Sequence, residues 1–439
     1  MNIIIAGAGK VGFNLARTLS IGHSVTIIDK NKDALSKLQE SLDILPLLGD
    51  IRDPNTYESF AENDIDFFIA VSDSDDANVI SCMVVDIVLK VKRKFLRVQS
   101  RFYKDINLKD KLNIEKLIIP TELSSKSVEN LLKYPKINNI KSFKHVEYRL
   151  VSIFATKFIS SEELNSFLDA KVERIVGVER NNEFQVSNIY EIYRGDLVYF
   201  LLKEESIGKI CDILNTHKID EIKNCVVFGA GELGIDIARV LVENKKSVKL
   251  VEKDIKRCEY AEESLEGKVE VINSKYRDEK LFIDEGLENA QMCLATYKDD
   301  EFNIIKSLEA RENGIKKIVA VNNESEYYNL MHRLSIVALR GPKMSAYNTI
   351  MEEISSSMVV LEKYFCGGKG AVFLRKIFEN SKLIGREIKK PKVDDVISFI
   401  IRDGEILGIG DVSLMVDDVI VALTVKEYMP KVKLWIYEL

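Results

Sequence analysis

Short apolar runs alternate with segments of helical spacing along the first 120 residues of this chain. The first run covers residues 1–6, and behind it Val11, Leu15 and Leu19 recur at the spacing of one helix face. Further apolar runs lie at 24–28, 44–48, 65–71, 95–99 and 116–119, and helical patterns lie at 32–42 and 79–89. Strands that alternate with helices through short connections form parallel sheets. The pattern therefore predicts an α/β fold built on a doubly wound parallel sheet.

A glycine-rich turn separates the first apolar run from the first helix, in the order Gly7-Ala8-Gly9-Lys10-Val11-Gly12. A G-x-G-x-x-G turn between a strand and a helix is typical of dinucleotide-binding units. Gly7 permits the tight turn, Gly9 lets the backbone approach a diphosphate, and Gly12 lets the helix lie close to the strand. The N–H groups and partial positive charge of the helix N-terminus favour phosphate.

An acidic residue ends the second strand. Asp29 follows the run at 24–28, about twenty residues after the glycines, where a carboxylate accepts hydrogen bonds from ribose hydroxyls. We expect the backbone of residues 7–11 to meet the diphosphate and Asp29 to hold the adenosine ribose. Because a carboxylate repels a 2′-phosphate, NAD(H) or ADP/ATP is expected rather than NADP(H). The alternative is a Rossmann-like unit whose cleft binds nothing.

Composition narrows the class of protein. The chain has 439 residues, a length that argues for several domains. Its net charge of -6 and pI near 5.6 argue against a general nucleic-acid binder. Its longest apolar runs are too short to span a bilayer, and the N-terminus lacks the basic region and cleavage site of a signal peptide. The six cysteines lack C-x-x-C spacing and are expected as core residues in a reducing cytosol. A structural or surface role is expected for the four histidines, His23, His145, His217 and His332.

The whole pattern then repeats. Gly229-Ala230-Gly231-Glu232-Leu233-Gly234 is the first motif displaced by 222 residues (229 minus 7), and Glu252 stands in the place of the strand-end acid. The loop at 295–303 parallels that at 70–78. Each half continues with a helix, ending near Pro135 or Ser356, and closes with β-rich residues. The expected domains are 1–119 (nucleotide-binding), 120–140 (connecting helix), 141–220 (small closing domain), 221–340 (nucleotide-binding), 341–360 (connecting helix) and 361–439 (small closing domain).

These motifs together resemble the TrkA family, the peripheral regulatory proteins of Trk-type bacterial potassium uptake. The resemblance covers essentially the whole chain, and its local marks include the two glycine motifs, Gly49-Asp50, Ala70-Val71-Ser72, and Asp299-Asp300-Glu301-Phe302-Asn303. It implies two tandem modules, each a Rossmann-like RCK N-domain followed by a small α+β RCK C-domain. It further implies a cytoplasmic, membrane-associated homotetramer whose partner is a TrkH-type potassium-translocating subunit.

The resemblance also extends the first site beyond the glycine motif and Asp29. Asp50 is implied near the adenine side, and Ser72 and Asp73 at the edge of the cleft. Arg97 could offer its planar fork to a phosphate or ribose. The alternatives are a helix N-cap for Ser72 and Asp73 and a surface ion pair for Arg97.

The second half departs from this pattern. Its motif and Glu252 remain as candidates, but Ser274, Tyr297, Lys298 and Ala320 are expected in the places of Asp50, Ser72, Asp73 and Arg97. Glu232 also adds a negative charge beside the phosphate turn. The second site either binds a nucleotide, which then need not be that of the first site, or binds none.

Three classes of function fit a Rossmann-like repeat. A dehydrogenase needs a substrate pocket with a placed acid or base, and no histidine lies in such a setting. No Walker A motif is present, because Phe13 follows Gly12, and we interpret Gly367-Gly368-Lys369-Gly370 as a loop that neither follows a strand nor opens a helix. A non-catalytic regulator that gates potassium transport is therefore favoured. An NAD-dependent oxidoreductase and a nucleotide-stabilised scaffold stay as alternatives.

Overall fold

The structure, a computed structural model, describes residues 1–143, 146–186, 189–216, 221–275, 280–355 and 360–439. They form two compact units, the first of Met1–Lys126 with Arg340–Met351 and the second of Ser127–Leu339 with Glu352–Leu439. The roles expected of His145 and His217, and the helix end expected near Ser356, fall outside the described residues.

A parallel six-stranded sheet with the order β3-β2-β1-β4-β5-β6 forms the centre of the first unit. Its strands are β1 (Asn2–Ala6), β2 (Ser24–Asp29), β3 (Leu45–Leu48), β4 (Asp64–Ala70), β5 (Lys90–Arg97) and β6 (Lys116–Ile118). The helices of this part of the chain are α1 (Lys10–Leu19), α2 (Lys32–Gln39), α3 (Asp75–Val88), α4 (Phe102–Asp105), α5 (Leu108–Lys111) and α6 (Pro120–Lys133). The strand order reverses between β1 and β4, which is where open α/β sheets bind ligands. The predicted doubly wound sheet is confirmed.

Two elements of the first sheet layer begin four or more residues earlier than the sequence predicts, each for a local reason. Helix α3 begins four residues earlier than expected, because the Ser74 hydroxyl caps it by accepting the Ala77 N–H at 3.2 Å. Strand β5 begins at Lys90 although its first half is polar. Ion pairs support that half, since Lys92 contacts Asp66 at 2.8 Å on the neighbouring strand.

The second unit contains a second parallel six-stranded sheet, with the order β16-β15-β14-β17-β18-β19, and two antiparallel five-stranded sheets. The strands of the first small sheet and its flanking pair are β7 (Ile137–Phe143), β8 (Val146–Phe154), β9 (Ile159–Ser160), β10 (Arg174–Arg180), β11 (Glu183–Gln185), β12 (Glu191–Ile192) and β13 (Leu197–Leu202). The second parallel sheet is made of β14 (Asn224–Phe228), β15 (Ser247–Glu252), β16 (Glu270–Asn273), β17 (Met292–Ala295), β18 (Lys317–Asn322) and β19 (Val337–Arg340). The second small sheet is made of β20 (Val360–Phe365), β21 (Gly370–Lys376), β22 (Val396–Arg402), β23 (Glu405–Gly408) and β24 (Val419–Val425).

The remaining helices are α7 (Ser161–Phe167), α8 (Ile207–Leu214), α9 (Glu232–Glu243), α10 (Ile255–Ser264), α11 (Leu281–Asp284), α12 (Asp300–Glu312), α13 (Tyr328–Arg333), α14 (Pro342–Ser355) and α15 (Met429–Glu438). The start of α14 belongs to the first unit, where the Tyr347 hydroxyl lies 2.8 Å from that of Thr18. Ser345 and Ser124 make a similar contact at 2.9 Å, so a segment distant in sequence completes this unit.

The two small sheets repeat one another and share a core, to which Tyr199, Phe365 and Val421 contribute. In the first, Arg180 pairs with the buried Asp196 at 2.6 Å, and in the second Arg402 pairs with the buried Asp418 at 2.7 Å, again 222 residues apart (402 minus 180). The internal repeat therefore extends to the closing sheets.

The structure corrects the interpretation of the glycine run at 367–370. It follows strand β20 directly and forms the turn into β21, so the expectation that it follows no strand was wrong. It still opens a strand and not a helix. Its Lys369 reaches the fully buried Glu179 on β10 at 2.6 Å, which joins the two small sheets through a buried ion pair.

Candidate nucleotide-binding site

The first glycine turn connects β1 to α1 and needs glycine for three separate reasons. Gly7 has φ +114°, and a Cβ there would lie 2.7 Å from the Ser72 nitrogen. A Cβ on Gly12 would collide with the Gly7 carbonyl oxygen, so only glycine lets α1 begin this close to β1. Gly9 caps α1 and faces open space, since the nearest atom to a Cβ placed on it, an Asp73 carboxylate oxygen, would be 3.9 Å away. That space is a cradle for a phosphate group at a helix N-terminus.

Asp29 lies beside this turn, as the sequence predicts. One of its carboxylate oxygens accepts the Ala8 N–H at 2.6 Å, and the other accepts the Asn31 N–H at 2.8 Å. The side chain is half-buried, and each oxygen of a carboxylate can accept a second hydrogen bond. A ribose diol can therefore be bound next to the phosphate cradle, and this donor and acceptor set fits an adenosine diphosphate group.

The other residues of the turn differ in what they can offer. The side chains of Ala8 and Val11 are buried, at 6% and 3% exposed, and the Ala8 N–H is already donated to Asp29. Lys10 is partly exposed in the first turn of α1. The Val11 side chain therefore packs in the core, and only its N–H is left to face the phosphate cradle.

The edge of the cleft at the end of β4 is a tightly bonded loop. The Ser72 hydroxyl donates to Asn78 Oδ1 at 2.6 Å, and Arg97 Nη1 donates to the Ser72 carbonyl at 2.9 Å and to the Asp73 carboxylate at 3.1 Å. The Arg97 side chain is 7% exposed, and its buried Nε has no hydrogen-bond partner among the described residues. Arg97 therefore braces the loop from a buried position, and its ion pair with the exposed Asp73 bears out the ion-pair alternative in part. Ser74 caps α3, so the N-cap alternative for Ser72 and Asp73 is wrong.

Asn78 is a contributor to this loop that the sequence prediction did not count among the site residues. It is fully buried on α3, and its Nδ2 donates to the Ser72 and Arg97 carbonyls, both at 2.9 Å. Asn303 makes the same contacts in the second half, with the Tyr297 carbonyl at 2.9 Å and the Val321 carbonyl at 3.0 Å. The signal was present in the sequence as an asparagine repeated at the same place in both loops.

Asp50 lies in the loop after β3 and is paired locally. Its carboxylate accepts from Arg52 Nη2 at 2.6 Å and from the Arg52 N–H at 2.9 Å. These hydrogen bonds lower the pKa of Asp50 to about 2. The carboxylate is thus ionised and already neutralised by Arg52 near the predicted adenine side.

The second glycine turn keeps the backbone geometry of the first. Gly229 has φ +103°, a Cβ on Gly234 would collide with the Gly229 carbonyl oxygen, and no atom lies within 4 Å of a Cβ position on Gly231. Ala230 and Leu233 are buried, and Glu232 is exposed in the first turn of α9.

Glu252 differs from Asp29 although it ends the corresponding strand. It is 1% exposed, and its carboxylate accepts three backbone N–H groups, from Ala230 at 2.9 Å, Lys253 at 2.8 Å and Asp254 at 3.1 Å. The longer glutamate side chain therefore folds beneath the glycine turn, where it supports the backbone.

Strand register corrects two of the correspondences between the halves. Asp29 pairs with Leu48 and Glu252 pairs with Asn273, so Lys275, and not Ser274, takes the place of Asp50. Leu96 pairs with Ala70 and Ala320 with Ala295, so the counterpart of Arg97 is Val321, and not Ala320. The same register confirms Tyr297 and Lys298 in the places of Ser72 and Asp73.

The described residues offer neither a metal-binding cluster nor a membrane-spanning helix. No three His, Cys, Asp or Glu side chains among them are grouped to hold a metal ion. In the same part of the chain, no helix combines the length and apolar character needed to cross a membrane. All six cysteines are buried as thiols, as expected, and the half-buried His332 stacks on the Phe154 ring with centroids 5.2 Å apart.

Both Rossmann-like segments of the chain match the same family of domains. The model of the TrkA-N domain family matches residues 3–120 and 225–339. The Trk system potassium uptake protein TrkA of Vibrio alginolyticus is 26% identical over 453 residues, covering 99% of this chain and 98% of that protein. The GsuK RCK domain has a similar fold, with a TM-score of 0.59 at 15% identity over 100% of this chain and 95% of that chain. The GsuK channel bound to NAD gives 0.58 at 16% identity, over 98% of this chain and 77% of that chain.

Proposed function

We propose that this chain, which belongs to the TrkA-N domain family, is a nucleotide-binding regulatory subunit of a potassium uptake system. The observation that carries the proposal is the first cleft, where open space above Gly9 at a helix N-terminus adjoins the half-buried carboxylate of Asp29. The name of the Vibrio alginolyticus relative, which matches this chain over nearly its full length, supports the link to potassium uptake.

The ligand of the first cleft is NAD(H), with ATP or ADP as nucleotides that share its adenosine half. In this proposal Asp29 holds the adenosine ribose and the backbone of residues 7–12 holds the diphosphate. Ser72 and Asp73 border the far half of the ligand, braced by Arg97, and Asp50 lies on the adenine side. The GsuK channel with NAD bound supports the choice through its similar fold alone.

The architecture that goes with this function is a tandem of RCK modules with the boundaries given above, at 119, 140, 220, 340 and 360. The chains assemble as a homotetramer at the cytoplasmic face of the membrane, with a TrkH-type subunit as partner. A nucleotide that favours one conformation of this assembly changes the gate of the partner. Tenfold differential affinity supplies about 1.4 kcal/mol per site, and several sites act together. The chain itself is not catalytic.

Calorimetric titration with NADH tests the ligand assignment. A charge-assisted hydrogen bond is worth about 1.5–3 kcal/mol, so Asp29→Ala is expected to weaken NADH binding about ten- to a hundredfold. Asp33→Ala removes an exposed carboxylate from α2 and serves as the matched control with unchanged affinity. Unchanged affinity in Asp29→Ala would refute the assignment of the ribose site.

The same titration with NADPH tests the choice of dinucleotide. Its 2′-phosphate would lie against the Asp29 carboxylate, so binding is expected to be much weaker than that of NADH. Comparable affinity for both would contradict the proposed role of Asp29.

A further inference from the structure

We propose that the second cleft holds no NAD(H), because the acid at its ribose position, Glu252, is buried and the Tyr297 ring stands where the first cleft has the small Ser72 side chain. The inference rests on the proposed function, since it takes NAD(H) as the ligand of the first cleft. It assigns the difference between the clefts to two side chains, although both keep the full glycine motif.

Glu252 has lost the position from which it could bind a ribose. Asp29 is half-buried and accepts two backbone N–H groups, whereas Glu252 is 1% exposed and accepts three. Asp29 and Glu252 both accept the equivalent N–H of the glycine turn, from Ala8 and from Ala230, so that bond does not separate them. Burial does, because the Asp29 carboxylate is partly exposed, whereas Glu252 is 1% exposed and offers no open oxygen to a ribose hydroxyl. The adenosine side of the second cleft therefore lacks its acceptor.

Tyr297 closes the other side. Its ring replaces the small Ser72 side chain and lies 3.3 Å from a Cβ position on Gly229, the first residue of the turn. The ring packs edge-on against Phe302, with centroids 4.6 Å apart, and the Tyr297 N–H donates to Asn303 Oδ1 at 2.8 Å. Phe302 itself stands where the first half has Ala77. The aromatic pair thus places two rings at the edge of the second cleft, where the first cleft has the small side chains of Ser72 and Ala77.

Two of the three retained glycines, Gly229 and Gly234, have a sufficient structural reason without a ligand. A side chain on Gly234 would collide with the Gly229 carbonyl. The Thr296 hydroxyl also holds the turn, because it donates to the Phe228 carbonyl at 2.9 Å and lies 3.1 Å from the Gly229 carbonyl oxygen. At Gly229, which has φ +103°, and at Gly234 the turn therefore requires glycine for its own geometry, whereas a Cβ on Gly231 would face open space. The motif by itself does not distinguish a binding cleft from a closed copy.

Hydrogen exchange of the full chain, with and without NADH, tests the inference directly. Saturating NADH is expected to slow exchange in peptides covering residues 7–12 and to leave those covering 229–234 unchanged, with one equivalent bound per chain. Slowed exchange at 229–234, with two equivalents, would overturn the inference and leave the proposed function intact. No protection at either turn would refute the proposed function and, with it, the contrast between the clefts.

A double variant tests whether these two side chains are responsible. Glu252→Asp with Tyr297→Ser gives the second cleft the residues that the first cleft has at these two positions, and NADH stoichiometry is expected to rise from one to two with new protection at 229–234. Glu259→Asp with Tyr260→Ser makes the same changes on the exposed face of α10 and should keep one equivalent. If the cleft variant is folded by circular dichroism and still binds one equivalent, the assignment to Glu252 and Tyr297 is wrong.

Discussion

A buried lysine is expected to make the stability of the second unit depend on pH. Lys317, at the start of β18, is 5% exposed, and its Nζ donates to the Ile137 carbonyl at 2.8 Å. Burial lowers the pKa of its amine from 10.5 to about 7. The unfolded chain keeps the ordinary pKa and therefore binds more protons across this window, so stability rises with pH between the two values. Since each pKa unit is worth about 1.4 kcal/mol, the buried amine costs the folded state about 4 kcal/mol at neutral pH.

Lys317→Met removes this titration and also the hydrogen bond to Ile137, whose unpaired carbonyl costs about 1–3 kcal/mol at every pH. The free energy of unfolding of the variant is therefore expected to equal or exceed that of the wild type at neutral pH. This advantage should be lost at alkaline pH. Relative to the wild type, its free energy of unfolding should fall by about 3 kcal/mol from about pH 7 to about pH 9.5. Denaturant unfolding at several pH values measures this difference. Lys316→Met, at the exposed neighbour, is the control that should show no such change, and a pH-independent difference for Lys317→Met would refute the reasoning.

Two further predictions concern buried groups in the rest of the chain. Glu179→Gln leaves the Lys369 ammonium beside an uncharged amide, and loss of one partner of a buried pair is expected to cost about 3 kcal/mol of unfolding free energy. Glu266→Gln, which removes a charge from an exposed ion pair, is the control. Equal losses of unfolding free energy in the two variants would contradict the argument. Burial raises the pKa values of the cysteine thiols, including Cys82, Cys211 and Cys225 to about 12, so a thiol reagent should modify none of the six in the native protein and all six after unfolding. Rapid reaction of several thiols in the native state would show that the core is wrongly assigned.

Much of the fold could be predicted from local pattern. Apolar runs such as residues 1–6 and 24–28 stand out because strands of a parallel sheet are buried on both faces. Strand β5 was partly missed because its first half is polar, and only its ion partners on other elements, such as Asp66 for Lys92, explain why it extends the sheet. Such partners are distant in sequence and leave no local signal.

The candidate site was predictable where backbone geometry determines the residue type. The glycines of both turns belong to this class, since a side chain at Gly12 or Gly234 would collide with the preceding carbonyl. The opposite fates of Asp29 and Glu252 were not predictable, because they depend on which backbone N–H groups each carboxylate reaches after folding. Arg97 likewise points into its own loop, a direction that the sequence does not encode locally.

The central claim is that nucleotide binding at the first cleft changes potassium transport. The direct measurement is potassium flux through a TrkH-type subunit reconstituted in vesicles with this chain, with and without NADH. NADH is expected to change the flux, and Asp29→Ala is expected to require about ten- to a hundredfold more NADH for the same change, while Asp33→Ala behaves as wild type. NADH that binds the chain but leaves the flux unaltered would contradict the regulatory role and favour a nucleotide-stabilised scaffold.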